Sequence, residues 1–162
     1  MDVINNFLPV EQFSQLESQL MSPKFPWFYQ DRIAYADDGG YQFVHPFYHS
    51  NYGRTSNHFN IFNDTVQRLG VRQLYRIKAN LNPQTVSHER SAWHIDLPNI
   101  KVGKTAVYYI NTNNGWTEFK NGDKVRSVAN RMVIFDCNLE HAGSTCTNEN
   151  RRVVVNFNYA DN

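Results

Sequence analysis

The sequence is poor in cysteine, in net charge and in long apolar runs, and each shortage excludes something. Two cysteines, Cys137 and Cys146, are too few for a disulfide framework. Sixteen basic and 15 acidic residues leave a formal charge of +1, which offers no electrostatic footprint to nucleic acid or to an anionic membrane. No apolar run reaches the roughly 20 residues that span a bilayer. The opening segment MDVINNFLPVEQF has neither the basic region nor the apolar stretch of a signal peptide. These absences point to a cytoplasmic protein with reduced thiols and no membrane partner. Repeats, linkers and low-complexity segments are also missing, so the 162 residues are expected to form one domain.

Aromatic residues, by contrast, are plentiful. Nine Tyr, eleven Phe and three Trp make up 14% of the chain, a composition suited to sheets with aromatic-packed faces. Phe13, Leu16 and Leu20 recur at helical spacing after Pro9, which predicts a helix over 9–20 that Pro23 and Pro26 stop. Residues 27–47 hold two β-prone runs around Asp37-Asp38-Gly39-Gly40, a hairpin signal. Phe59, Phe62, Val66 and Leu69 predict a second helix over 58–69, with Gly70 as its cap. From residue 73 onward short strands alternate with turns: QLYRIKANL, AWHID, KTAVYYINT, WTEFK, KVRSV, RMVIFD and RRVVVNFNY. Asn121-Gly122 reads as a type I′ hairpin. Strands at this spacing suggest two antiparallel sheets closed as a jelly roll, with the helices bracing one of them.

Within that frame, His94 and Asp96 stand two apart in AWHID, where a strand would turn both to one face. Alone the pair is a weak signal, since a surface histidine beside a turn-forming aspartate has the same spelling. His141 follows the apolar strand RMVIFD, where a side chain is well placed to face a cavity. Two imidazoles and one carboxylate can occupy one face of an octahedron and leave three positions open, the ligand set of non-haem Fe(II) oxygenases. Cys137, His141 and Cys146 also permit a zinc reading, but the chain supplies no fourth ligand at zinc spacing. In the last strand Arg152, Val154, Asn156 and Asn158 share one face, and Arg151, Val153, Val155, Phe157 and Tyr159 the other. The second set is apolar and should pack outward against the helices. An inward Arg152 then needs an anion, which no acidic residue of that strand provides. A dicarboxylate ligand would supply it through a bidentate fork. The alternative is a strand-edge arginine in water.

With His94-x-Asp96, His141 and Arg152 in that order, the chain resembles the 2-oxoglutarate/Fe(II)-dependent dioxygenases. Within them it is most similar to the prolyl-hydroxylase-like branch and to small phage-encoded members. The resemblance covers about residues 73–160 and is less specific over NNFLPVEQF and KFPWFYQ. It implies a mainly β fold with N-terminal helices, in which a helical and hairpin region (1–72) braces a double-stranded β-helix core (73–160). It implies His94, Asp96 and His141 as the Fe(II) ligands and catalytic centre. Arg152, rather than its neighbour Arg151, would hold the distal carboxylate of 2-oxoglutarate. Tyr109 would reach the same carboxylate through its hydroxyl, and Asn80 would be a polar residue of the pocket. The implied activity is hydroxylation of an amino-acid, peptide or protein side chain, with O2 as co-substrate and succinate and CO2 as products. The runner-up is a non-catalytic jelly-roll module that holds a metal or ligand. The alkylation-repair branch carries a second arginine where this chain has Asn158, which argues against nucleic acid as substrate. The primary substrate would be selected by residues 27–57 and 83–92, and neither it nor the oligomeric state is readable from the sequence.

Overall fold

Two-residue alternation in the long strands gives each sheet distinct faces, and that split builds the layers. A computed structural model describes residues 1–161. Its elements are β1 (Asp2–Ile4), α1 (Val10–Leu20), β2 (Phe28–Gln30), β3 (Gln42–His49), β4 (Gly53–Arg54), a 3₁₀ turn (Phe59–Phe62) and α2 (Asn63–Arg68). They continue with β5 (Gln73–Pro83), β6 (Lys104–Tyr109), β7 (Trp116–Phe119), β8 (Lys124–Arg126), β9 (Arg131–Asp136), β10 (His141–Gly143) and β11 (Arg151–Ala160). The large sheet runs β1-β9-β6-β11-β5-β3-β2, with β4 on β3, and the small sheet runs β10-β7-β8. No helix among the described residues is long and apolar enough to cross a membrane.

The outward face of the large sheet carries Ile77, Ala79, Tyr108, Val155 and Phe157, packed with Phe13, Leu16 and Leu20 of α1 and with Phe62. Full burial of a side chain such as Leu20 contributes about 1.5–3 kcal/mol. Its inward face holds Val107, Tyr109, Val133, Phe135 and Val154, which meet Phe119 and Val125 of the small sheet. The β11 parity expected from the sequence is therefore the one observed.

Four local expectations change. The segment expected to be one helix over 58–69 begins as a 3₁₀ turn and is α-helical only over Asn63–Arg68. The tighter winding brings Phe62 against Phe47 and Phe157, at 4.7 and 5.3 Å between ring centroids. The β7–β8 connection is not type I′, because Gly122 has positive φ and Asn121 does not. Gly122 N–H donates to Phe119 O and Phe119 N–H to Asp123 O, the pattern of a three-residue loop with a glycine bulge. Asp37-Asp38-Gly39-Gly40 does not make a tight hairpin turn either. It closes a longer loop, 31–41, around the Asp38 carboxylate, which accepts the N–H groups of Ile33, Ala34, Tyr35 and Gly40. Burial opposes ionisation there, but these four bonds hold the carboxyl down at about 2. Finally, AWHID is not a strand, since His94 makes only an isolated bridge to His141.

Candidate active site

That bridge assembles the site. His94 N–H donates to His141 O and His141 N–H to His94 O, both at 3.0 Å. The two residues are thus directly opposed, and their rings lie 4.6 Å apart. A second bridge, Arg90 to Ser144, and the bond from Ser91 N–H to Gly143 O strap the same segment along β10. Asp96 follows two residues later, with its Oδ1 3.8 Å from His94 Nε2 and 3.9 Å from His141 Nε2. All three ligand atoms fall within 4.8 Å of one another.

Each donor is held in the state a metal needs. His94 Nδ1 lies 3.0 Å from Ala92 O, and His141 Nδ1 lies 3.2 Å from Leu139 O. A carbonyl can only accept, so Nδ1 carries the proton and the Nε2 lone pair is free. Burial pushes His141 below the usual imidazole range, and Phe135 packs 4.9 Å from its ring. The Asp96 side chain is only 6% exposed. Its Oδ2 receives the amides of Asn158 at 3.1 Å and Asn156 at 3.2 Å, and Arg76 Nη2 stands 3.1 Å away as an ion pair. Burial opposes ionisation of this carboxyl, but Arg76, followed by the two imidazoles and Asn158, holds it far below the usual range. Oδ2 thereby takes the closer contacts with the protein, while Oδ1, reached by the Asn156 amide only at 3.5 Å, faces the two imidazoles.

Arg152 lies in the same cavity, which has a volume of about 280 Å³ and is also lined by the three triad residues. It is 3% exposed. Its Nε donates to Ser127 Oγ at 2.8 Å, and Nη2 donates to Trp116 O and Thr117 Oγ1 at 3.3 Å each. These acceptors are neutral, and no carboxylate pairs with Arg152 among the described residues. A Cβ on Gly115 would lie 2.7 Å from Arg152 Cδ, so the absence of a side chain there makes room for its stem. Arg151 points the other way, toward α1, and donates to Met21 O.

Asn80 also lines the cavity, and its buried Oδ1 has no partner among the described residues. Tyr109 sits beside Arg152, with the guanidinium carbon 5.7 Å from its ring centre, but its hydroxyl donates to Val125 O at 3.3 Å. Were AWHID a strand, Trp93 and Ile95 would both turn away from the face of His94 and Asp96, Trp93 into the core packing. Ile95 lines the cavity instead of pointing outward. Trp93 is half-buried under the Arg90 guanidinium rather than in the core, and its carbonyl accepts the Tyr35 hydroxyl at 2.7 Å. Because the segment is a strap and not a strand, strict alternation does not apply to it. Cys137 and Cys146 are buried free thiols outside the His94, Asp96, His141 cluster. His45 is satisfied by Pro26 O and Ser56 Oγ.

Reading the sequence for motifs leaves out Arg76 and Lys78, both of which line the cavity. The signal was alternation in RIKANLN, where Arg76, Lys78, Asn80 and Asn82 share one parity and Ile77, Ala79 and Leu81 the other.

No protein-family model matches the sequence, and no curated protein matches it. The fold, however, is shared with solved structures. A 2OG-Fe(II) oxygenase family oxidoreductase from Burkholderia pseudomallei superposes with a TM-score of 0.68 at 11% identity, covering 99% of this chain and 84% of that one. A Pseudomonas putida prolyl-4-hydroxylase gives 0.66 at 12% identity, over 98% and 91%. The epimerase SnoN of nogalamycin biosynthesis, in complex with Fe3+, α-ketoglutarate and nogalamycin RO, gives 0.60 at 11% identity, over 98% and 78%. The architecture described above is thus the double-stranded β-helix jelly roll seen in 2OG-Fe(II) oxygenases.

Proposed function

We propose that the protein is a non-haem Fe(II), 2-oxoglutarate-dependent dioxygenase that hydroxylates an amino-acid, peptide or protein side chain. The observation that carries this reading is the pairing, in one cavity, of an open-sided His94, Asp96, His141 cluster with a buried arginine that has no acidic partner among the described residues. The donor set fits the metal, since imidazole and one hard carboxylate suit Fe(II) and three further positions stay open. Arg152 fits the distal carboxylate of 2-oxoglutarate, because a buried guanidinium held only by neutral oxygens keeps its charge for an anion. When bound, iron, 2-oxoglutarate and O2 supply oxidative decarboxylation to succinate and CO2, with the second oxygen atom inserted into a substrate C–H bond.

The residues of the chain do the positioning. Ala92 O and Leu139 O set the imidazole tautomers, and Arg76 and Asn158 hold Oδ2 of Asp96, which would leave Oδ1 for the metal. Phe119 and Phe135 pack beside His141 and keep water from that side. Anaerobic addition of Fe(II) and 2-oxoglutarate should produce a visible charge-transfer band that His94→Ala and Asp96→Ala abolish. Admission of O2 should then release succinate. Absence of both the band and succinate would overturn the proposal in favour of a non-catalytic binding module.

A further inference from the structure

Building on the oxygenase reading, we infer that the cavity holds a second anion subsite centred on Lys78, and that the primary substrate is a small molecule bearing a free carboxylate. Lys78 turns inward from β5 between Arg76 and Asn80, opposite Asn156 of β11 and Pro46 of β3. It lines the cavity, and its ammonium has neither a hydrogen bond nor an ion pair among the described residues. Asp96 does not answer it directly, because Oδ2 is taken by Arg76 and Asn158 and Oδ1 faces the imidazoles.

A charge count for the cavity points the same way. Arg76, Lys78 and Arg152 line it from within against the single carboxylate of Asp96, while Arg32 and Glu89 offset each other at its exposed rim. Fe(II) and dianionic 2-oxoglutarate would cancel, so two positive charges stay unmatched in the fully loaded site. The whole chain carries only +1, so this excess belongs to the cavity and not to the surface at large. An excess of this kind in a partly desolvated cleft selects anions. The register places Arg152 opposite Asn82 and Lys78 opposite Asn156. Their stems therefore leave the sheet four residues apart, about 13 Å at the strand rise, which provides two anion anchors.

The neighbours of Lys78 refine the ligand. Among the described residues, Asn80 Oδ1 and Asn156 Oδ1 are buried acceptors without partners, and a buried acceptor left unpaired is destabilising. A ligand that brings N–H or O–H donors beside its carboxylate, as amino and hydroxy acids do, satisfies both. The cavity of about 280 Å³ would also hold iron and 2-oxoglutarate, so the space left beside Lys78 suits a small ligand. Loop 31–41, knitted by Asp38 and tied to Trp93 O by Tyr35, borders the same cavity through Ile33 and Ala34. Burial, reinforced by Arg76 and opposed only in part by the more distant Asp96, lowers the Lys78 ammonium to about 8.

Acetate and acetamide are the probes, titrated into protein loaded with Zn(II), a redox-silent metal, and with 2-oxoglutarate. The readout is the NMR cross-peak of the Lys78 Cε–Hε group, assigned by its loss in Lys78→Met. Acetate should move this peak and saturate, and acetamide should leave it in place. Lys78→Met should weaken 2-oxoglutarate at least tenfold less than Arg152→Gln does. A peak that ignores acetate, an equal response to acetamide, or equal loss of 2-oxoglutarate in the two variants overturns the inference. In the Fe(II) enzyme, succinate release stimulated by amino or hydroxy acids but not by their carboxamides supports it, and stimulation confined to carboxamides or longer peptides overturns it. Failure of the oxygenase reading is separately visible, because Zn(II)-loaded protein would then not bind 2-oxoglutarate before any acetate is added.

Discussion

Replacing Arg76 by leucine separates a clamp on a metal ligand from an ordinary buried ion pair. Arg76 Nη2 lies 3.1 Å from Asp96 Oδ2, and the two side chains are 15% and 6% exposed. Removing one partner of a buried pair costs about 3–5 kcal/mol, mainly through the charge left behind. Asp96 would keep the amides of Asn156 and Asn158, so the loss in metal-free protein belongs near the low end, about 3 kcal/mol. At about 2–4 °C per kcal/mol for a chain of this size, the melting temperature should fall by about 6–12 °C. A divalent ion on Oδ1 returns positive charge to the stranded carboxylate. Zn(II) should therefore raise the melting temperature of Arg76→Leu by more than it raises that of the wild type. Thermal melts followed by circular dichroism, in chelator and in Zn(II), measure both quantities. Equal metal-induced shifts in the two proteins would refute Asp96 as a ligand, and an unchanged metal-free melt would refute the clamp.

Arg152→Gln keeps one donor but loses the charge, a net loss of about one charge-assisted bond, worth about 1.5–3 kcal/mol. It should weaken 2-oxoglutarate by about 10–100-fold in calorimetric titration while leaving metal affinity in place, and equal loss of both would mean that Arg152 has another role. Acidification should destabilise the metal-free protein. Burial lowers His141, and Arg76 leads the interactions that outweigh burial and lower Asp96. Both folded values lie below the unfolded ones, so their stabilisation is intact above the unfolded pKa and is lost as pH falls, from about 6.5 for His141 and about 4 for Asp96. Melting temperatures should decline below about pH 6.5, and His141→Gln should flatten the first part of that decline. A melting temperature that rises on acidification contradicts the assignment.

Periodicity explains which parts of the site were legible. In β11 the apolar face of Val153, Val155 and Phe157 packs under the helices and so turns Arg152 and Asn156 inward. Two-residue alternation is a local property of an extended chain and needs no knowledge of its neighbours. The same rule applied to β5 reaches Arg76 and Lys78 as readily as Asn80. It fails for Trp93 and Ile95, because a segment held by isolated bridges need not keep a strand's dihedrals. Tyr109 shows a different limit. Its inward parity was readable, but whether its hydroxyl meets a ligand or Val125 O depends on how closely β8 approaches.

The strand periods, the α1 stripe, the order of His94, Asp96, His141 and Arg152, and the lack of an acidic neighbour for Arg152 within its own strand are all present in the residue order. Those are properties of residue type and short spacing. Long-range packing sets His94 and His141 face to face through reciprocal backbone bonds. It also brings Arg76 and Asn158 to the far oxygen of Asp96, and leaves Lys78 unpaired among the described residues in the same cavity. These contacts join segments tens of residues apart, and their register is set by side-chain packing between β5, β11 and the strap along β10, which no local pattern encodes.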